Sequence, residues 1–199
     1  MSFFDLFTPK QPISSVTAAE FFANGLKFAT GVGVKQDYDE ALKCYLKAAE
    51  MGLATAQLNL GIMYQSGQGV MQSYTEAAKW FLKAADQNEA NAQYSLGRFY
   101  ENGFGVTKNA REAVKWYRKS ADQGNALALN TLATLYLGGK DVPQNNDEGL
   151  KYLQMAAESG LVIAQYNLAI MYASGDSSPG NTALIVKWMT LAAQQESSI

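Results

Sequence analysis

Residues 60–70 read LGIMYQSGQGV, and kindred segments stand as NGLKFATGVGV from Asn24, LGRFYENGFGV from Leu96, LATLYLGGKDV from Leu132 and LAIMYASGDSS from Leu168, each 36 residues from the next. A second block keeps the register: ALKCYLKAA from Ala41, AAKWFLKAA from Ala77, AVKWYRKSA from Ala113, GLKYLQMAA from Gly149 and IVKWMTLAA from Ile185. A fixed period of this length means that one small unit recurs, and that neighbours must stack to bury an apolar face that no unit can bury alone. Five units fit, over 17–52, 53–88, 89–124, 125–160 and 161–196, with an N-terminal arm over 1–16 and a tail over 197–199.

Each unit predicts two helices. In 53–88 the small and apolar residues Ala56, Leu60 and Tyr64, then Ala77, Trp80, Phe81 and Ala84, fall three and four apart, as on one stripe of a helix. Asp37, Ser73, Asn109, Asn145 and Asn181 are N-cap residues, and Glu40, Glu76, Glu112 and Glu148 follow at capping-box spacing, as Glu20 follows Thr17. Gly52, Asn88, Gly124 and Gly160 stand where second helices should stop, in types that tolerate a left-handed backbone. The pairs Gly31/Gly33, Gly67/Gly69 and Gly103/Gly105 mark the turn between helices; the fourth and fifth units keep only Gly139 and Gly175, so their turns are expected to differ. The expected fold is therefore all-α, an α/α superhelical solenoid of five helix-turn-helix repeats. Alanine pairs such as Ala48-Ala49 and Ala84-Ala85 allow close helix approach, and aromatics such as Tyr45, Phe81, Tyr117, Trp80 and Trp116 fill the space between. Cys44 stands in the Trp80 register and reads as a buried structural thiol. The recurrent pairs Glu40/Lys43, Glu76/Lys79, Glu112/Lys115 and Glu148/Lys151 read as solvated outer-face ion pairs without function.

Composition narrows the chemistry. Sixteen Lys and Arg against eighteen Asp and Glu leave a net charge of -2, no footprint for a polyanion, so nucleic acid is not an expected partner. The chain has no histidine, which removes the residue most used for proton transfer near neutral pH and the commonest metal ligand. Its single cysteine permits neither an internal disulfide nor a cysteine-rich zinc site. No cofactor or metal is expected, and the expected location is cytoplasmic. Residues 1–12 lack the basic and apolar regions of a signal peptide, and no stretch approaches the ~20 apolar residues of a membrane span.

The consensus LG-x-x-Y-x-x-G-x-GV followed by A-x-K-W-x-x-KAA resembles the SEL-1-like repeat family, relatives of the tetratricopeptide repeats, over residues 17–196. The resemblance implies a right-handed superhelix whose first helices line a concave face, in proteins that act as adaptors or scaffolds. Bacterial members often serve in host interaction, signalling, secretion or toxin neutralisation. The family's secreted cysteine-rich branch, described as binding or hydrolysing β-lactams, carries a disulfide-forming cysteine pair per repeat. This chain lacks those pairs, so that chemistry does not transfer.

Matching Leu60-Gly61 and Tyr64 to the small and aromatic positions of a tetratricopeptide first helix implies that positions 55, 58, 62, 65 and 66, and their equivalents 36 residues away, face the groove. The candidates for binding a protein or peptide are Phe22 and Leu26 in the first unit and Leu58, Ile62 and Gln65 in the second. Tyr94, Arg98 and Glu101 follow in the third, Asn130 and Thr134 in the fourth, and Tyr166 and Ile170 in the fifth. Aromatic and aliphatic anchors around one arginine have the composition of a binding hot spot. Tyr94, Arg98 and Tyr166 are favoured because a core gains little from their polar ends, whereas Leu58, Ile62 and Ile170 suit packing between first helices equally well. A hydrolase acting through groove carboxylates is the alternative, and Glu101 is the one carboxylate among the candidates. Two terminal features stand apart. Phe3, Phe4, Leu6 and Phe7 are expected to fold back as a cap, and Leu184 and Ile185 give the last helix apolar surface suited to weak self-association.

Overall fold

The computed structural model describes residues 16–139, 141–175 and 179–196, so the apolar arm at 3–7 lies outside the described residues. Ten helices and no strand occur among them: α1 (Ala18–Thr30), α2 (Tyr38–Glu50), α3 (Ala54–Ser66), α4 (Tyr74–Asp86), α5 (Ala90–Asn102), α6 (Ala110–Ala121), α7 (Ala126–Gly138), α8 (Asn146–Glu158), α9 (Val162–Ala173) and α10 (Pro179–Glu196). Each helix packs chiefly on the one before it and the one after it, so five hairpins stack into a solenoid.

Local signals explain most of the boundaries. Thr17 and Glu20 form a complete capping box at α1. Asp37, Ser73, Asn109 and Asn145 accept the first amides of α2, α4, α6 and α8. In these second helices only half of the expected box forms. The N-cap amide that a glutamate would take is already donated to the preceding helix, Asp37 to Phe28 O at 2.9 Å, Ser73 to Tyr64 O at 2.9 Å and Asn109 to Tyr100 O at 2.8 Å. The glutamates turn outward instead, and Glu40, Glu76 and Glu112 pair with the lysines three residues on. Asn181 departs from the expectation: α10 begins at Pro179, and Asn181 lies inside its first turn.

The glycine turns follow a steric rule. Gly67 and Gly69 have φ of 75° and 65°, and a Cβ on Gly69 would sit 2.5 Å from the carbonyl oxygen of Tyr38 in the preceding hairpin. The fourth unit keeps this backbone without its glycine, because Asp141 occupies the Gly69 register at φ 68°. The fifth differs as expected: α9 ends at Ala173 and its cap, Ser174, stays right-handed.

The core runs within each hairpin and on across the joints between units, where a second helix meets the next first helix. Ala41, Tyr45, Ala48 and Ala49 of α2 pack with Ala56, Leu60 and Met63 of α3, and α4 meets α5 in the same way through Phe81 and Phe99. Buried glutamines bolt these joints. Gln57 Nε2 donates to Ala49 O at 3.1 Å and its Oε1 accepts from Gln87 at 2.7 Å; Gln93 repeats this with Ala85 at 3.2 Å and Gln123 at 2.8 Å. In the fourth unit both partners change together, to Leu129 and Ser159, so neither polar group is stranded.

Candidate functional site

The first helices α1, α3, α5, α7 and α9 lie side by side, and one residue per helix points outward at 36-residue spacing: Leu26, Ile62, Arg98, Thr134 and Ile170. All five are exposed, the aliphatic ones by 40%, 43% and 59% in chain order. The row arises because these positions sit opposite the stripe that each first helix buries: Gly25, Leu60/Gly61, Leu96/Gly97, Leu132/Ala133 and Leu168/Ala169.

One turn earlier, Phe22, Leu58, Tyr94, Asn130 and Tyr166 are half-buried. The Phe22 ring lies 5.6 Å from that of Tyr45, Tyr94 lies 5.7 Å from Tyr117, and Leu58 packs on the joint core. The aliphatic row is thus more accessible than Tyr94, the reverse of the order suggested by polarity, because Tyr94 has an aromatic neighbour that sequence spacing does not reveal. Gln65 is half-buried, with its carbonyl accepting from Gln72, and the Thr134 hydroxyl donates to Asn130 O at 3.0 Å. Glu101 accepts the Tyr117 hydroxyl at 2.5 Å. Burial, and then this bond, push the Tyr117 phenol far above its usual range. The Arg98 guanidinium has neither hydrogen bond nor ion pair among the described residues.

Cavities open along this face. One of about 140 Å³ lies where α1 meets α3, lined by Ala29, Asn59 and Ile62, with Tyr45 at its floor. A larger one, about 420 Å³, lies between α7 and α9 and is lined by Thr134, Leu137, Asn167 and Ile170. Between them, around Arg98, Gln65 and Ser95, the face is nearly filled. Leu127 and Ile163, exposed by 47% and 51%, extend the apolar row at its C-terminal half. They stand in the register of position 55, where the second and third units carry the polar Thr55 and Asn91, so no repeated apolar signal marks it.

Elsewhere, Cys44 is half-buried, and burial raises its thiol above the ordinary range. Leu184 and Ile185 are half-buried, and Leu184 packs on the core; the exposed large apolar residues of α10 are instead Val186 at 59% and Met189 at 39%. No cluster of three metal-ligating side chains occurs among the described residues, and none of their helices is long and apolar enough to cross a membrane.

The Sel1 repeat model matches residues 25–53, 54–89, 90–125, 126–161 and 162–197. A Sel1 repeat protein from Oxalobacter formigenes is 35% identical with a TM-score of 0.86, over 94% of this chain and 76% of that one. A protective antigen of uropathogenic Escherichia coli with an SLR fold is 36% identical with a TM-score of 0.82; the match covers 89% of this chain but only 38% of the antigen. An immunity protein from Pseudomonas aeruginosa is 25% identical with a TM-score of 0.58, over 93% of this chain and 67% of that one. No curated protein matches the sequence.

Proposed function

The chain belongs to the Sel1 repeat family, whose repeats generally mediate protein–protein interaction, and we propose that it is a scaffold binding a polypeptide partner on its first-helix face. The observation that carries this reading is the row Leu26, Ile62 and Ile170, extended by Leu127 and Ile163. These large aliphatic side chains are each at least 40% exposed, Ile62 and Ile170 line open cavities, and their exposure costs solvation free energy that a partner would recover. A toxin-neutralising role is the specific version that the likeness to an immunity protein supports. The lone, shielded thiol suits a reducing, cytoplasmic setting.

Affinity capture by the purified chain, read by mass spectrometry and repeated with the Ile62→Asp/Ile170→Asp variant, tests the reading. Both side chains are exposed, so the variant should keep its helical melt while losing any specific partner. Capture undiminished by these changes would move the site off this face.

Self-association is a second reading, favoured by the exposure of Val186 and Met189 on α10. Sedimentation should then show a concentration-dependent species that Val186→Lys removes; a strict monomer at high concentration would eliminate it. Hydrolysis has less support. Among all positions in the five groove registers, Glu101 is the one carboxylate, and it is held by Tyr117.

A further inference from the structure

The chemistry of the partner can be read from the charge pattern of the face, and this inference rests on the scaffold reading above. Across the registers of positions 55, 58, 62, 65 and 66 in all five units, the charged side chains are Arg98 and Glu101, both in the third. Glu101 is half-buried and engaged by the Tyr117 hydroxyl. Arg98 is exposed and unpaired among the described residues, while the four other members of its row are Leu26, Ile62, Thr134 and Ile170, all neutral. The face therefore presents one exposed cation with no hydrogen-bonded or ion-paired partner among the described residues; the other charge of the strip, the half-buried Glu101 carboxylate, is engaged by the Tyr117 hydroxyl.

That cation stands midway between two apolar recesses. The α1/α3 cavity lies one and a half units to one side of α5 and the α7/α9 cavity one and a half units to the other. Neighbouring helices pack about 10 Å apart, which places each recess ~15 Å from Arg98. An extended chain advances ~3.3 Å per residue and covers that distance in roughly four or five residues. A guanidinium binds a carboxylate in a two-pronged geometry, and such a pair strengthens when flanking apolar contacts exclude water.

We propose that the segment bound on this face is a peptide stretch with one carboxylate flanked, roughly four or five residues away on each side, by apolar side chains. The carboxylate pairs with Arg98. The smaller α1/α3 recess takes an aliphatic side chain, and the larger α7/α9 recess accepts a bulkier, aromatic one. A basic or uniformly charged segment would leave Arg98 repelled or the recesses empty.

The test is selection of a random peptide library, displayed on phage, against the full chain and against Arg98→Glu. Peptides enriched by the unaltered protein should share an Asp or Glu between two apolar positions, and those enriched by Arg98→Glu should carry Lys or Arg there. An enriched acidic peptide should lose about tenfold or more in affinity on Arg98→Glu and regain it when its carboxylate residue is exchanged for lysine. Enriched peptides without a preferred acidic position, but lost on Ile62→Asp/Ile170→Asp, would overturn this inference and leave the scaffold site standing. Peptides that bind the double variant undiminished, or no enrichment at all, would remove the site and the inference together.

Discussion

At the scale of single residues, the fold depends on matched sizes within each hairpin. Gly25, Gly61 and Gly97 face Tyr45, Phe81 and Tyr117, and a Cβ on Gly97 would lie 2.6 Å from the Tyr117 ring. In the fourth and fifth units the register pairs alanine with a slimmer side chain, Ala133 with Leu153 and Ala169 with Met189. Gly97→Ala should therefore destabilise the protein by about 1–3 kcal/mol, and adding Tyr117→Leu should restore much of the loss. A urea-denaturation double-mutant cycle measures this; additive losses would show that the contact is not the cause. The same tyrosine predicts a pH response. Its phenol ionises near pH ~10 in the unfolded chain but keeps its proton in the fold, so the native state binds more protons above that pH. The stability it contributes is fully present below about pH 10 and should fall as pH rises beyond it, whereas Tyr117→Phe should flatten that slope in urea midpoints.

At the scale of elements, the caps and turns carry separable contributions. Ser73 satisfies the first turn of α4 through Glu76 N, and Glu76 only pairs with Lys79 at the surface. Ser73→Ala should cost about 1 kcal/mol, and Glu76→Ala about 0.5 kcal/mol or less, read as shifts in thermal midpoint. Equal losses would mean that the reciprocal box forms after all. The turn after α7 makes a complementary case. Asp141 holds a left-handed φ of 68° where earlier units use glycine, so Asp141→Gly should stabilise the protein by about 0.5–1 kcal/mol. A loss of stability would show that the aspartate side chain makes a compensating local bond.

At the scale of the whole molecule, stability is a sum over neighbours, because contacts run chiefly between helices adjacent in the chain. The two end faces are built differently. Where later units bury Ala56, Leu60 and Met63, or Ala92, Leu96 and Phe99, α1 carries the exposed polar residues Glu20, Asn24 and Lys27. α10 leaves Val186 and Met189 exposed in registers that the inner units cover through Val114 and Tyr117. Helices with one principal neighbour should open first, so amide exchange should be fastest in α1 and α10 and slowest in α5, α6 and α7. Uniform protection along the chain would instead show one cooperative unit.

The repeat, the all-helical solenoid and most caps were legible in the sequence, since each follows from a local period or a residue's own backbone preference, and the outward row containing Ile62 and Arg98 followed from the family resemblance. Tertiary structure alone decided which groove residues are free. Tyr94 is drawn against Tyr117, Glu101 is taken by a hydroxyl sixteen residues away, and Leu127 and Ile163 are left exposed. It also decided that the capping glutamates face solvent, because the amides they would have bonded are claimed by the helix before. Periodicity places a side chain on a face; whether that side chain is spent on a neighbour depends on contacts between separate helices, which no single helix encodes.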